Sequence, residues 1–389
     1  MAGSPAPAAP PRPGRPGRPG RLGRPGRPGT VILGAALAAV IVAGAAVWIR
    51  RSTSTSAADQ LALAAAHRFL DTYLGPDGRV SRLDQGGDTV SEGQAYAMLI
   101  AVAIGDRRRF DLAWTWAQHH LQRSDGLLSS HWQGGQVVDP QPASDADLDA
   151  ARALLLAAQR FGDPAYRSAA LRIGGSVLAA ETATYGGRRV LVAGPWALAP
   201  PAPPAYVDPS YLSPRTFAAL GKASGNPAWS QLTAGGYAIV EELQSGGPAL
   251  VPDWAKVSSA GVATATPAPG GGSPVYGYEA GRLLVRMAED CAGTGRSIAA
   301  KPWRFLSAQA RSGPVAAQYG LDGAPRVGYT SPLADVAAAA SATAAGNHSQ
   351  AMALLARAAT QDADQPTYYG AAWVALGRIM LTTTWLGGC

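Results

Sequence analysis

A run of amphipathic helices whose connections alternate between short and long is the strongest constraint on what this chain can fold into. Apolar residues recur at helical spacing in segments at about 59–74, 92–104, 107–121, 145–160, 163–180, 213–222, 226–243, 279–290, 302–311, 332–344, 347–359 and 369–383. The joins Gly105-Asp106, Gly162-Asp163 and Gly225-Asn226 are tight, whereas those at 122–144, 181–212 and 244–278 are long. Twelve helices paired in this way predict an all-α double ring, with inner helices feeding long loops at one end. Asp106, Asp163, Asn226 and Asn347 sit at or near helix starts, where short polar side chains cap well. Strand signals are confined to short stretches at 135–138 and 189–192.

The chain ahead of these helices has a different character. Residues 1–29 are mostly Pro, Gly, Ala and Arg, with arginine at every third position from Arg12 to Arg27, a low-complexity tail that cannot build a core. Residues 30–49 carry no charge, and 20 residues of helix reach about 30 Å, enough to cross the hydrocarbon layer. Arg50 and Arg51 close the run. Six arginines precede it and two follow, so the expected topology is a single-pass anchor with a cytoplasmic N-terminus. A linker at 50–58 would then lead to a domain at 59–389 outside the cell membrane, secreted if the anchor is cleaved.

Charge supports the same division. Of 33 basic and 26 acidic residues, residues 1–51 hold eight arginines and no acid, leaving 25 and 26 in the remainder. The basic balance belongs to the tail, so nucleic acid is not an expected partner of the folded part. The two cysteines, Cys291 and Cys389, both fall in the exported part, where a disulfide between them is permitted. No cysteine cluster or His-Glu-x-x-His motif is present, so neither a metal nor a cofactor is expected.

Two stretches place acids at helix starts. In Ser91-Glu92-Gly93-Gln94, Ser91 and Gln94 have the spacing of a capping box, and Glu92 falls in the first turn. In Ser144-Asp145-Ala146-Asp147-Leu148-Asp149, Ser144 is placed to cap. Acids in a first turn complement the helix dipole, which explains one or two of these but not easily all. Asp145 and Asp147 diverge around the helix, so at most one points straight into a given cleft and the other holds a neighbour. The long loops carry Trp132, Trp196, Tyr206, Tyr211, Trp254, Tyr276 and Tyr278. Aromatic faces beside carboxylates suit a sugar chain, whose C–H faces stack on rings while its hydroxyls take hydrogen bonds. Packing within the loops would account for any single one of these rings equally well.

These motifs carry a family resemblance. The stretch from Ser91 to Met98 resembles the Ser-Glu-Gly-x-x-Tyr-x-Met motif of glycoside hydrolase family 8, and Ala143-Ser144-Asp145-Ala146-Asp147 resembles that family's aspartate signature. Pro209-Ser210-Tyr211, Val251-Pro252-Asp253-Trp254, Tyr276-Gly277-Tyr278-Glu279-Ala280-Gly281-Arg282 and Tyr368-Tyr369-Gly370 follow in the family's order, over about residues 60–385. The resemblance implies an (α/α)6 barrel of twelve helices and an inverting endo-acting hydrolase of β-1,4-linked glucan, with a polysaccharide as substrate. The alternatives are a non-catalytic glycan-binding protein on the same fold, or a hydrolase of chitosan or xylan.

Inversion needs two carboxyl groups about 6.5–9.5 Å apart, one protonating the leaving oxygen and one deprotonating water. By resemblance Glu92 is the general acid, Asp145 contacts the sugar at the cleavage point, and Asp147 is the less defined partner. Tyr96, Trp132, Tyr211, Trp254, Tyr278 and Arg282 are the expected substrate contacts. The base position departs from the family, which has aspartate where this chain has Glu279. The extra methylene moves the carboxylate by about 1–1.5 Å. Either the backbone has shifted to compensate, or another carboxylate (Asp253 and Asp208 among the candidates) serves as base, or the domain binds glycan with little turnover.

Overall fold

The computed structural model describes residues 56–198 and 204–388. The tail at 1–29, the span at 30–49 and Cys389 lie outside the described residues. Among the described residues no helix is long and apolar enough to cross a membrane. Cys291 is disulfide-bonded, and its expected partner, Cys389, lies outside the described residues.

The described helices in chain order are α1 (Ala57–Tyr73), α2 (Ser91–Ile104), α3 (Arg107–His120), α4 (Ser144–Phe161), α5 (Pro164–Ala180), α6 (Pro214–Ser224) and α7 (Ala228–Leu243). There follow α8 (Tyr278–Ala288), α9 (Gly293–Ala300), α10 (Trp303–Ser312), α11 (Pro332–Ala344), α12 (His348–Asp364) and α13 (Tyr368–Thr382). The inner ring runs α2, α4, α6, α8, α11, α13 and back to α2, each packed on the next. The partners α3, α5, α7, α10 and α12 lie outside it, and α1 closes the outer ring against α13.

Thirteen helices, not the expected twelve, are therefore described. The additional one is α9, packed on α8. Gly293 and Gly295 hide it from a periodicity reading, but Gly295 is required by space, since a Cβ there would come within 2.4 Å of Asp290 Oδ2. The linker also ends earlier than position 58, because Ser56 caps α1 in a reciprocal arrangement with Asp59.

Three of the inner helices are buried almost all round. In α2 every residue from Gly93 to Ala103 is buried, and α11 and α13 are nearly as enclosed. Such helices cannot show a clean apolar stripe, because they have no solvated face.

The long loops hold short strands: β1 (Thr89–Val90), β2 (Ser129–Gln133), β3 (Gln136–Pro142), β4 (Thr182–Tyr185), β5 (Arg188–Leu191), β6 (Ala205–Val207), β7 (Trp254–Val257), β8 (Ala263–Thr266), β9 (Val275–Tyr276) and β10 (Tyr319–Gly320). The expected strands at 135–138 and 189–192 correspond to β3 and β5. Sheets β1-β2-β3 and β6-β7-β8, with the pairs β4-β5 and β9-β10, stiffen the loops that lead to the inner helices.

Capping differs from the sequence expectation at the two acidic starts. Helix α2 begins at Ser91 itself, and neither Ser91 nor Ser144 makes a capping bond. Gln94 is wholly buried and donates instead to the carbonyls of Gly78 and Ala113, both at 3.0 Å. Ser144 Oγ donates to the Val192 carbonyl at 2.8 Å. Both side chains satisfy buried carbonyls, those of Gly78 and Val192 in loops and that of Ala113 within α3. Asp106 and Asp163 cap as expected, receiving the N–H groups of Arg109 (3.0 Å) and Ala165 (2.9 Å). Asn226 receives that of Ala228 at 2.9 Å, while Asn347 holds the cap position without a side-chain capping bond, its amide donating to the Ala345 carbonyl instead.

Down the barrel axis runs a ladder of three ion pairs between α4 and α8. Asp145 meets Arg282 at 2.7 Å, Asp149 meets Arg286 at 2.7 Å, and Arg152 meets Glu289 at 2.6 Å. The sequence separation is 137 residues in every rung. Two helices with the same pitch and direction keep such an offset, so the rungs fix α4 and α8 in axial register. Arg286 lies 5.8 Å from the buried ring of Trp373, which meets Tyr96 edge-on at 5.6 Å.

Candidate active site

The top rung of the ladder opens into a cluster of carboxyl groups. Glu92, Asp145 and Glu279 each stand in the first turn of an inner helix, α2, α4 and α8 respectively. Arg282 joins them. Its Nη1 donates to Asp145 Oδ2 at 2.7 Å and to the Tyr96 hydroxyl at 3.1 Å. Its Nη2 donates to Glu279 Oε2 and lies 3.5 Å from Asp208 Oδ2. The Tyr211 ring covers the guanidinium at 5.3 Å.

Burial sorts these acids. The side chains of Asp145 and Asp208 are 1% and 0% exposed, whereas that of Glu279 is 33% exposed. Among the expected acids, only Glu92 and Glu279 are part-exposed and the rest are buried. Glu92 lies deep enough that loss of water, helped by the charges of Asp145 and Glu279 and opposed by Arg282, raises its carboxyl to about 7. Desolvation therefore outweighs the helix dipole, which alone favours the carboxylate. Asp145 is also raised, by burial first, with Arg282 pulling the other way. Its Oδ1 has no hydrogen-bond partner among the described residues.

Asp147 does not join the cluster. Its Oδ1 receives the Leu128 N–H at 2.8 Å, which ties the 122–144 loop to α4. Its electrostatic neighbour is Glu181, wholly buried with neither carboxyl oxygen hydrogen-bonded among the described residues. Burial first, and then the other's charge, pushes Glu181 well above the usual carboxylate range.

The two alternative bases are both otherwise engaged. Asp208 is buried and receives the Ser210 N–H at 2.8 Å. Asp253 is 8% exposed, and its Oδ1 receives the N–H groups of Gly277 (2.8 Å) and Ala280 (2.9 Å).

The aromatic residues fall into four places. Tyr96 and Tyr211 are buried around Arg282. Trp254 is part-exposed on β7 and belongs to a cluster with Trp196 (6.2 Å), which in turn meets Tyr206. Trp132, on β2, packs edge-on against Trp116 at 5.4 Å, with Arg79 over its ring at 5.0 Å. Tyr278 lines a cavity of about 460 Å³ together with Tyr329, Thr330, Gln361 and Tyr369. Tyr369 is the site residue that the sequence reading left without a role, although it lies in the Tyr368-Tyr369-Gly370 motif. Its hydroxyl donates to the Tyr278 carbonyl at 3.1 Å, tying α13 to the first turn of α8.

A family model for glycosyl hydrolases family 8 matches residues 36–270, more than half of the chain. The chain belongs to this family. The match takes in Glu92, Asp145 and Asp147 and ends before Glu279. Among curated family relatives, a probable endoglucanase from Novacetimonas hansenii is 33% identical over 55% of this chain and 63% of its own length. An endoglucanase from Cellulomonas uda is 30% identical over 58% of this chain and 62% of its own length. The matches thus span somewhat less than two thirds of these relatives. Structural likeness reaches further: an endo-beta-1,4-glucanase from Acetobacter xylinum superposes with a TM-score of 0.70 at 26% identity, covering 82% of this chain and 97% of that one. The (α/α)6 architecture of family 8 is accordingly the architecture of the described residues, with α9 as an addition to the paired helices.

Proposed function

We propose that the domain is an inverting endo-β-1,4-glucanase acting on a cellulose-like glucan. The observation that carries this reading is the contrast between Glu92 and Glu279. One carboxyl group is raised to about 7 by burial. The other is ion-paired to Arg282 and one third exposed. Groups whose environments differ in this way divide into acid and base.

In this reading Glu92 transfers its proton to the glycosidic oxygen as the C–O bond breaks. Glu279 takes a proton from the water that attacks the anomeric carbon from the opposite face, which inverts its configuration. Asp145 offers its unpartnered Oδ1 to a sugar hydroxyl at the cleavage point, while Arg282 holds Asp145 and Glu279 in fixed relation. Trp132, Trp254, Tyr278 and Tyr211 supply surfaces for the chain on either side, and Tyr96 orients Arg282 from below. Asp147 holds the 122–144 loop. No step needs a metal or cofactor. The endoglucanases named among the relatives support a β-1,4-glucan as substrate.

Display at the outer cell surface is part of the same proposal. It rests on the uncharged run at 30–49 and the arginines around it. A tether suits an enzyme that trims a polymer made or held at the cell's own surface.

The test is product release from soluble glucan, xylan and chitosan, with early-time NMR of the new reducing end. Glucan cleavage with inverted configuration is expected. Release from xylan or chitosan alone would change the substrate, retention would change the mechanism, and binding without release would make the domain a glycan-binding protein.

A further inference from the structure

Helix α8 carries Glu279, yet it has no cap of its own. Its cap position is Gly277, which has no side chain to offer. The first N–H groups of a helix need acceptors from elsewhere. Here they find one in Asp253, 24 and 27 residues away in sequence. A single oxygen, Asp253 Oδ1, receives the N–H of Gly277 at 2.8 Å and of Ala280 at 2.9 Å. These two residues flank Tyr278 and Glu279.

Asp253 is itself held firmly. Its N–H donates to the Val275 carbonyl at 2.7 Å. The next residue, Trp254, begins β7, the central strand of the β6-β7-β8 sheet. The contact with α8 is close-packed: a Cβ on Gly277 would come within 2.9 Å of Asp253 Oδ2 and 3.1 Å of Gln318 Cγ. The sheet, the aspartate and the helix start therefore behave as one rigid joint.

We propose that Asp253 is a positioning residue for the base side of the reaction: it docks the first turn of α8 on the loop sheet and so places Glu279 against the attacking water. This rests on the assignment of Glu279 as base. It also gives the longer side chain at position 279 a physical setting, because the height of the helix start is set by a group outside the helix. Placement within about 1 Å matters at this point, since an error of that size costs about a hundredfold in rate.

Asp253 does this by accepting hydrogen bonds, which its protonated and ionised forms both do. Burial pushes its carboxyl up to about 7, with the helix N–H groups opposing and Glu279 reinforcing the shift. Asparagine has the same acceptor and nearly the same shape as the neutral form.

The experiment compares the full-length chain with D253N, D253A, G277A and E279Q on a soluble β-1,4-glucan. Rates are normalised to molecules that bind a cello-oligosaccharide by calorimetry. D253A is expected to lose about a hundredfold in kcat with KM within about twofold, as displacement of the base by about 1 Å requires. G277A, which pushes on the same carboxyl from the other side, should show the same pattern. Added azide should restore turnover in both and give a glycosyl azide. Azide attacks the anomeric carbon without needing deprotonation, as Glu92 protonates the departing oxygen. D253N should keep kcat within about threefold, because both N–H groups still find their acceptor.

A purely structural role would lower the folded fraction and leave the normalised kcat and azide response unchanged, and that result would overturn the proposal. So would D253N failing as badly as D253A. If E279Q itself is fully active, the base assignment fails first. If E279Q is inactive while folded D253A is normal, the assignment stands and only the positioning role falls.

Discussion

Arg286 and Asp149 meet as a two-bond pair deep in the barrel, with Nη1 donating to Oδ1 at 2.7 Å and Nη2 to Oδ2 at 2.8 Å. Their side chains are 0% and 2% exposed. This middle rung is the most enclosed of the three, and its charges reach Asp145 of the carboxyl cluster above it. Arg286→Met or Asp149→Leu alone leaves a buried charge without its partner and should cost about 3–5 kcal/mol of stability. The double variant should recover most of that loss. Urea denaturation of the four proteins gives the coupling directly.

Glu92 sets the alkaline side of the pH profile. Its carboxyl, raised to about 7, must be protonated to act as acid, so kcat/KM should fall as pH rises through about 7. Asp145→Asn removes a negative neighbour and frees Arg282, and both changes favour the Glu92 carboxylate. The alkaline limb should therefore move to lower pH in that variant, besides any loss from the missing sugar contact. A limb that stays in place or moves upward would contradict the assignment.

The same shift has a consequence for stability. The native Glu92 holds its proton between its ordinary value of 4.5 and about 7, where the unfolded chain has released it. Over that window stability declines with rising pH. Glu92→Gln should flatten the decline, as seen in denaturation midpoints between pH 5 and about 7. Its turnover should drop by about 100–10,000-fold on unactivated glucan and much less on substrates with good leaving groups.

Glu279→Gln should fail on every substrate, whatever its leaving group, because the water loses its proton acceptor. Glu279→Asp is more informative. Asp253 and Arg282 hold the helix start and the carboxylate in one geometry, and shortening the side chain moves the carboxylate by about 1–1.5 Å. The rate should then fall by about a hundredfold. An aspartate variant as fast as the parent would mean that the helix start follows the usual family geometry.

Protease added to intact cells should degrade the large domain if residues 30–49 anchor it with the N-terminus inside. Protection of that domain until lysis would reverse the topology.

Much of this site was legible before any coordinates, for a specific reason. Glu92, Asp145 and Glu279 each belong to a helix start, and helix starts announce themselves through turn residues and a change of periodicity, while their roles came with the family resemblance. The ring followed from the alternation of tight Gly-Asp joins with long loops. What stayed hidden depends on contacts between distant segments. Gln94 has the spacing of a capping partner, but the demand of buried carbonyls at Gly78 and Ala113 overrides it. Asp253 lies in a quoted motif, yet nothing local shows that its carboxyl reaches the backbone 24 residues on. Helix α9 was missed because its two early glycines lower helix propensity, while close approach to Asp290 requires one of them. The strands of the β6-β7-β8 sheet are three or four residues long and take their identity from partners across loops.

The constant offset of 137 residues between the rungs also separates two things that a polymer-cutting fold must do. Two of the long loops that shape the groove, the segments at 181–212 and 244–278, are spliced between α4 and α8. Lengthening or shortening those segments changes the numbering of the offset but not the meshing of the helices, because the teeth are on the helices themselves. The grip on the polymer is therefore free to be remodelled while the blades stay aligned.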